Sequence, residues 1–190
     1  MKQGYKEQYE NKVLPEIQKE LNIKNKLAAP RLEKVVVNIG LGRASQAANF
    51  RDKIFPEIVK EMMTITGQKP SSRGAKQSIS GFKLREGEII GLKTTLRGAR
   101  MYDFINKLVK IVYPRVRDFR GIDLKNVDER GNLNLGFKDH YVFAETSQET
   151  STVDFGLQVT LVCNAKKRED ALALYRHVGF LFKAPKASKK

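Results

Sequence analysis

The stretch Val153-Asp-Phe-Gly-Leu-Gln-Val-Thr-Leu-Val-Cys-Asn164 decides the fold, because it shows the cleanest alternation of apolar and polar residues in the chain. Every second residue from Val153 to Cys163 is apolar, while Asp154, Gln158 and Thr160 fall between them. Successive side chains of a strand point to opposite faces of its sheet. The stretch therefore predicts a strand with one buried face and one hydrated face.

Two earlier segments, Leu32–Ile39 and Glu88–Arg97, repeat this alternation and predict two more strands. The polar side chains predicted on the hydrated faces of the three strands are Asn38, Lys93, Thr95, Arg97, Gln158 and Thr160. Strands of a doubly wound parallel sheet are apolar on both faces, so that fold class is excluded.

Apolar residues at helical spacing predict four helices between and around these strands. The predicted helices run from Tyr5 to about Leu21, from Ser45 to the stop at Gly67, from Ala99 to Tyr113, and from Arg168 to His177. Ser45 is the expected N-terminal cap of the second helix, and Gly179 the expected C-terminal cap of the last. Pro15 interrupts the first helix, and Pro114 ends the third.

The order of these elements predicts an α+β fold, a mostly antiparallel sheet with helices packed on one face and the other face free. Gln68–Arg85 is predicted to be partly strand and largely loop, and Asn132–Phe143 to hold one or two strands. We expect residues 1–183 to form a single α+β domain with an N-terminal helix, followed by a basic tail at 184–190.

The charge of the chain points to a polyanionic partner. Its 190 residues carry 36 Lys and Arg against 21 Asp and Glu, a formal net charge of +15. So large an excess makes the folded state repel itself unless a polyanion neutralises it, with nucleic acid as the first candidate and an anionic membrane surface as the second. A signal peptide or a spanning helix is not expected, which favours the cytoplasm or an organelle interior.

An enzyme is not expected from this sequence. His140, His177 and Cys163 are too few and too dispersed for a zinc site, and Cys163 is interpreted as a small buried hydrophobe. Gly40 and Gly42 follow a strand and precede a helix, as in a dinucleotide loop, but the third glycine is missing. A tight turn explains the two glycines equally well. We predict no metal and no cofactor.

Basic residues are concentrated in two segments that flank the strand Glu88–Arg97. Lys69–Arg85 holds five basic residues and no acid, and Arg97–Arg120 holds seven against two acids. Such a run is usually a solvated face, but two of them in a chain with this net charge favour phosphate binding. The free sheet face is then predicted to bind RNA. It lacks stacking aromatic rings, which favours a folded or duplex RNA over a single strand; an ordinary hydrated face is the alternative.

Several motifs resemble the family of large-subunit ribosomal protein number five. They are Pro30-RLEKVVVNIGLG, Thr66-GQKP, Ser78-ISGFKLREG, Gly91-LKTTLRG and Pro114-RVRDFRG, in an order that covers nearly the whole chain. The resemblance implies a non-catalytic protein of the ribosome that binds 5S rRNA in the central protuberance. By motif position it assigns RNA contacts to Asn38, Gln68 and Thr95, and Lys69, Lys93 and Arg97 complete the predicted rRNA-binding set.

The same resemblance implies further partners. The loop Ser71–Ser80 is expected to reach the elbow of the peptidyl-site tRNA, with Arg73, Lys76 and Ser78 as contacts. Large-subunit rRNA and a small-subunit head protein are also expected partners, the latter at the long connections after Pro114. No membrane partner is predicted. The basic tail departs from the family pattern by extending past the usual end.

Overall fold

The computed structural model describes residues 5–42, 44–47, 49–146, 151 and 153–183. The basic tail predicted at 184–190 lies outside these residues. Within them the strands are β1 (Leu32–Gly40), β2 (Ser71–Gly74), β3 (Ile89–Leu96), β4 (Leu133–Phe137) and β5 (Leu157–Cys163). They form one antiparallel sheet in the order β2-β3-β1-β5-β4, which confirms the predicted α+β class.

The α-helical segments are α1 (Tyr5–Gln8), α2 (Leu14–Glu20), α3 (Phe55–Thr66), α4 (Gly98–Lys107), α5 (Tyr113–Arg115) and α6 (Arg168–Val178). Three wider π-helical turns join or precede them: π1 (Tyr9–Val13), π2 (Phe50–Ile54) and π3 (Leu108–Val112). α3 ends at Gly67 and α6 at Gly179, both of which have a positive φ, as the sequence predicted.

Each π turn comes just before a proline. Pro15, Pro56 and Pro114 each lie two residues after the last residue of π1, π2 and π3 respectively. A proline has no N–H to bond the carbonyl four residues back, and its ring crowds that carbonyl. The preceding turn therefore opens, as in π2, where the N–H of Phe55 donates to the carbonyl of Phe50 five residues earlier. Pro114 lies inside the last turn, so the third helix continues to Arg115.

The second helix begins later than predicted. Ser45 lies in a short 3₁₀ turn, Ala44–Gln46, and its hydroxyl donates to the Gly42 carbonyl at 3.0 Å. The helix starts at Phe50, so the expectation that Ser45 caps it was wrong. A serine can satisfy the backbone of a turn as readily as that of a helix start, and sequence alone does not distinguish the two.

The last strand also begins later than the alternation predicted, at Leu157 instead of Val153. Phe155 is buried, but its ring stacks on the imidazole of His140 at a centroid distance of 4.1 Å, outside the strand pairing. Between Asn132 and Phe143 there is one strand, β4, followed by a 3₁₀ turn at His140–Val142.

The chain divides into two compact units of non-consecutive segments. The first comprises Met1–Val35, Arg97–Leu135 and Thr160–Lys190, and the second comprises Val36–Leu96 and Gly136–Val159. In the first unit α1 packs on α4, and α2 packs on α6. In the second unit α3 packs on β3, and Ile58, Met62 and Leu92 are fully buried.

A buried hydroxyl organises the core of the first unit. Tyr175 Oη lies 2.9 Å from the Gly131 carbonyl oxygen and 3.0 Å from that of Leu161. The Cys163 thiol donates to the same Gly131 carbonyl, and burial raises the pKa of this thiol. Cys163 is thus a buried core residue, as the sequence predicted.

Each histidine has its own surroundings in its own unit. His140, in the second unit, is fully buried, with Nε2 3.3 Å from Glu61 Oε2. His177 lies near the C-terminus of α6, and its two ring nitrogens face Glu16 and Glu20 of α2. It therefore ties α6 to α2 within the first unit.

Candidate nucleic-acid interface

The outward residues of β1 and β3 form a polar row, which we call the strand face and define as Asn38, Lys93 and Thr95. Asn38 is exposed between the buried Val37 and Ile39. Lys93 and Thr95 are half-buried and alternate with buried residues of β3. β1 and β3 are neighbours in the sheet, so three side chains predicted from alternation do lie on neighbouring strands.

The edge strand β2 adds to this surface. In its antiparallel register Ser71 is opposite Lys93, and Arg73 is opposite Gly91. Residues directly opposite each other point to the same side, so Ser71 and Arg73 share the side of Lys93. Arg73, predicted in a loop, thus belongs to the sheet edge. A Cβ at Gly91 would lie 3.0 Å from the Ile39 carbonyl oxygen, so β1 and β3 approach closely here.

Gln68 is brought to β3 by the turn that ends α3. The Thr66 hydroxyl donates to the Met62 carbonyl at 2.7 Å and also lies 3.0 Å from the Gln68 carbonyl oxygen. This turn directs the Gln68 side chain toward β3, where its Nε2 donates to the Thr95 carbonyl at 3.4 Å. Two residues far apart in sequence are therefore adjacent in the structure. Lys69 follows them and is exposed.

After β2 the chain folds back on itself over residues 75–88, a segment that we call the hairpin. Its base is closed by the Ala75 N–H, which donates to the Glu88 carbonyl at 2.8 Å, and by the Gly87 N–H, which donates to the Ala75 carbonyl at 2.9 Å. Lys76 is exposed near this base. The Ser78 hydroxyl oxygen accepts a hydrogen bond from the Glu86 N–H at 2.9 Å, so Ser78 supports the hairpin's own backbone.

Arg97 belongs to the first unit, directly after β3. It is exposed at the N-cap position of α4, where its side chain makes no capping hydrogen bond. The structure therefore places the other eight predicted site residues in the second unit and Arg97 in the first.

The predicted cations are not neutralised by any carboxylate of the described residues. Within the described part of the chain, none of the basic residues of the predicted site forms an ion pair with a carboxylate. These residues are Lys69, Arg73, Lys76, Lys93 and Arg97. Cations without internal partners are free to release counterions and bind phosphates.

Sequence reasoning missed the apolar end of the hairpin. Ile79 and Phe82 are exposed there, at 46% and 65% of their full accessibility. The available signal was an aromatic residue between Gly81 and Lys83 in a polar, basic segment, where no buried face is predicted.

The turn after β1 leaves few of its described backbone N–H groups free to bind a nucleotide. The Leu41 N–H donates to the Ile90 carbonyl at 2.8 Å, and the Ser45 N–H donates to the Leu41 carbonyl at 2.8 Å. These donors are used inside the protein, which favours a tight turn at Gly40 and Gly42. Among the described residues no group of three or more His, Cys, Asp or Glu is arranged to hold a metal ion. No described helix has both the length and the apolarity to cross a membrane.

Two family models match the chain. One, described as ribosomal protein L5, matches residues 25–85, and the other, which describes the C-terminal part of the same ribosomal family, matches residues 89–182. Together they include every residue of the strand face and nearly all of the hairpin.

Curated relatives match over almost their whole length. The chain is 44% identical to the large ribosomal subunit protein uL5 of Carboxydothermus hydrogenoformans, covering 93% of this chain and 97% of that protein. The protein of the same name from Fusobacterium nucleatum is 44% identical, over 94% and 96%. That from Pseudothermotoga lettingae is 43% identical, over 94% and 95%.

Proposed function

The chain belongs to the ribosomal protein L5 family, and from this membership we propose that its strand face, with Gln68, binds 5S rRNA in the large subunit. As a member of that family it is a structural, non-enzymatic constituent of the large ribosomal subunit, located in the cytoplasm with the ribosome. Large-subunit rRNA is its general partner.

The observation that carries the proposal is the strand face itself. Asn38 and Thr95 offer hydrogen-bonding groups, and Lys93 offers a charge that no described carboxylate neutralises. All three are held between buried neighbours, so their backbones are fixed before RNA arrives. A fixed row of donors and acceptors loses little conformational entropy on binding.

The composition of the strand face favours a folded RNA. It contains no aromatic ring on which an unpaired base could stack. Amide, hydroxyl and ammonium groups suit the phosphates and 2′-hydroxyls that a helical RNA displays. 5S rRNA, a compact folded RNA, fits this chemistry.

We further propose that Arg73 and Lys76 contact peptidyl-site tRNA. Arg73 lies on the edge strand and Lys76 at the base of the hairpin, both exposed. Ser78 was predicted with them, and its hydroxyl can still donate a proton while its oxygen accepts from Glu86. Lys69 and Arg97 remain predicted rRNA contacts. A small-subunit head protein is the proposed partner of the connections after Pro114.

The test compares single substitutions on the strand face. Asn38→Ala and Thr95→Ala should each weaken 5S rRNA binding by about fivefold, because each removes a hydrogen bond worth about 1 kcal/mol. Thr64→Ala is the matched control, since Thr64 is exposed on α3 and its hydroxyl donates to the Lys60 carbonyl of the same helix. Affinity is measured by titration of labelled 5S rRNA, and thermal unfolding verifies that stability is retained.

Arg73→Gln and Lys76→Gln separate the two RNA contacts. These variants should bind isolated 5S rRNA nearly as the wild type does, yet weaken peptidyl-tRNA placement in reassembled ribosomes. The strand-face assignment is wrong if Asn38→Ala and Thr95→Ala both leave 5S affinity unchanged. The tRNA assignment is wrong if Arg73→Gln and Lys76→Gln reduce 5S binding as much as Asn38→Ala does.

A further inference from the structure

The far end of the hairpin exposes an aromatic ring that the fold does not use. Phe82 is 65% exposed, and Ile79 beside it in the hairpin is 46% exposed. Burying a phenylalanine side chain usually stabilises a fold, so this residue forgoes most of that contribution. Large apolar groups left together in water, with polar residues around them, mark an interaction site.

The exposure does not come from a loose backbone. Ile79 and Leu84 exchange two backbone hydrogen bonds, of 3.0 and 3.2 Å. The Phe82 N–H donates to the Ile79 carbonyl at 3.2 Å, and the Phe82 carbonyl accepts from Gln46 Nε2 at 3.1 Å. Phe82 is thus fixed on both sides of its Cα, and its ring is presented to a partner in advance of binding.

The residue after Phe82 has an unfavourable backbone conformation. Lys83 has φ +51°, in the left-handed region where glycine is accommodated without steric cost. Lys83 has this conformation as the C-terminal cap of the 3₁₀ turn Ser80–Phe82, where its N–H donates to the Ser80 carbonyl at 3.0 Å. The turn therefore holds a basic residue next to Phe82 in the chain.

A polar pocket of about 480 Å³ lies against this lysine. Its lining consists of Arg51, Lys83, Arg85, Glu86, Gly87 and Glu88. The three cations form no ion pair within the described residues, while Glu88 Oε2 accepts a hydrogen bond from the Arg85 N–H at 3.2 Å. Cations therefore outnumber carboxylates in a pocket larger than one phosphate group.

We propose that Phe82 and this pocket form an RNA contact of their own, which we call the hairpin-end contact; it holds one unstacked nucleotide with its base on the Phe82 ring and its phosphate among Arg51, Lys83 and Arg85. This inference rests on the proposed RNA-binding function and adds a different chemistry to it. Aromatic stacking with cations nearby is how proteins hold unpaired nucleotides, and the strand face has no such ring. The net positive charge of the lining favours RNA over a protein partner.

The experiment uses the full-length protein and two probes, a single-stranded oligouridylate of about eight nucleotides and 5S rRNA. Phe82→Leu should weaken oligouridylate binding about tenfold, because it keeps an apolar side chain but removes the ring. Phe82→Trp should retain binding. Arg51→Gln should lower the salt dependence of binding by about one counterion. Leu27→Ala, which changes another exposed apolar residue, is the control and should have no effect.

The outcomes separate this inference from the function on which it rests. If Phe82→Leu binds oligouridylate like the wild type, or the wild type does not bind it, the hairpin-end contact is wrong, whatever the 5S rRNA titrations give. If Asn38→Ala and Thr95→Ala both leave 5S affinity unchanged while Phe82→Leu weakens the oligouridylate complex, the strand-face proposal fails and the hairpin-end contact stands. A photoreactive benzoylphenylalanine in place of Phe82 should cross-link to RNA in ribosomes; cross-linking to protein alone would refute the inference.

Discussion

The strand face and the hairpin are parts of one unit, but they present their side chains in different ways. Asn38, Lys93 and Thr95 alternate along their strands with fully buried residues, so every change there adjoins the core. Phe82 is held through hydrogen bonds to its own N–H and carbonyl, one of them from the Gln46 side chain, while its ring lies in solvent. Both regions hold their binding groups in fixed positions. The strand face does so by packing against the core, and the hairpin does so by a tight hydrogen-bonded turn.

This difference teaches that the stability of the hairpin should tolerate most side-chain substitutions, whereas around the strand face it should be retained only when the buried neighbours are left unchanged. A surface backed by the core is rigid but intolerant of changes in volume. A surface backed by a turn tolerates substitution of its side chains while its backbone bonds remain. Three substitution pairs test this contrast, from the largest expected effect to the smallest.

Leu92→Ala and Phe82→Ala should differ most in stability. Leu92 is 0% exposed in β3, so its truncation should cost about 2–5 kcal/mol, a fall in Tm on the order of 10 °C. Phe82→Ala removes a larger side chain but should change Tm by less than about 2 °C, because that side chain is already hydrated. Calorimetry of both variants measures the two changes in Tm. Equal decreases in Tm would show that Phe82 supports the fold.

Gly91→Ala and Gly81→Ala make the same comparison at the backbone. A methyl group at Gly91 would meet the Ile39 carbonyl oxygen at 3.0 Å, which forces β1 and β3 apart and should cost about 1–3 kcal/mol. At Gly81 an added Cβ meets nothing within 4 Å. Chemical denaturation should therefore find Gly81→Ala near the wild type. A large loss at Gly81 would contradict the account of the hairpin.

Lys83→Gly should produce the smallest change in stability of the three pairs, and that change should be a gain instead of a loss. Relief of the left-handed backbone should stabilise the hairpin by up to about 1 kcal/mol, while removal of the cation weakens oligouridylate binding. Lys76→Gly, a nearby exposed lysine without positive φ, should not stabilise the protein. Thermal unfolding and oligonucleotide titration together measure the two effects. A Lys83→Gly variant that binds oligouridylate as well as the wild type would show that Lys83 does not contribute to RNA binding.

The strand face was predictable from sequence because it depends on a local rule. Alternation along Leu32–Ile39 and Glu88–Arg97 was enough to direct Asn38, Lys93 and Thr95 outward, and the structure confirms their exposure pattern. The contact between Gln68 and Thr95 depends on how a helix end meets a strand, which no local pattern encodes. The family resemblance named both residues as RNA contacts, but it did not predict that they touch each other.

The hairpin was not predictable in the same way. Its shape depends on pairings such as Ser78 with Glu86 and Ile79 with Leu84, in a segment without regular periodicity. The exposure of Phe82 was missed because an aromatic residue is expected to be buried. The late start of β5 was missed for a related reason, since the alternation continues through Phe155 although its ring packs against His140 instead of pairing in the sheet.

The three prolines and their widened turns have a consequence for helical phase. A residue of an α-helix advances by about 100°, so apolar residues spaced four apart drift by about 40° at each step. Phe50, Ile58 and Met62 follow that spacing, yet all three are buried. The wider turn before Pro56 advances less per residue and offsets the drift, so the helix keeps one face inward along its length. In an unbroken α-helix Phe50 would lie about 80° around the axis from Ile58, so the widened turn is what keeps both side chains on the buried face.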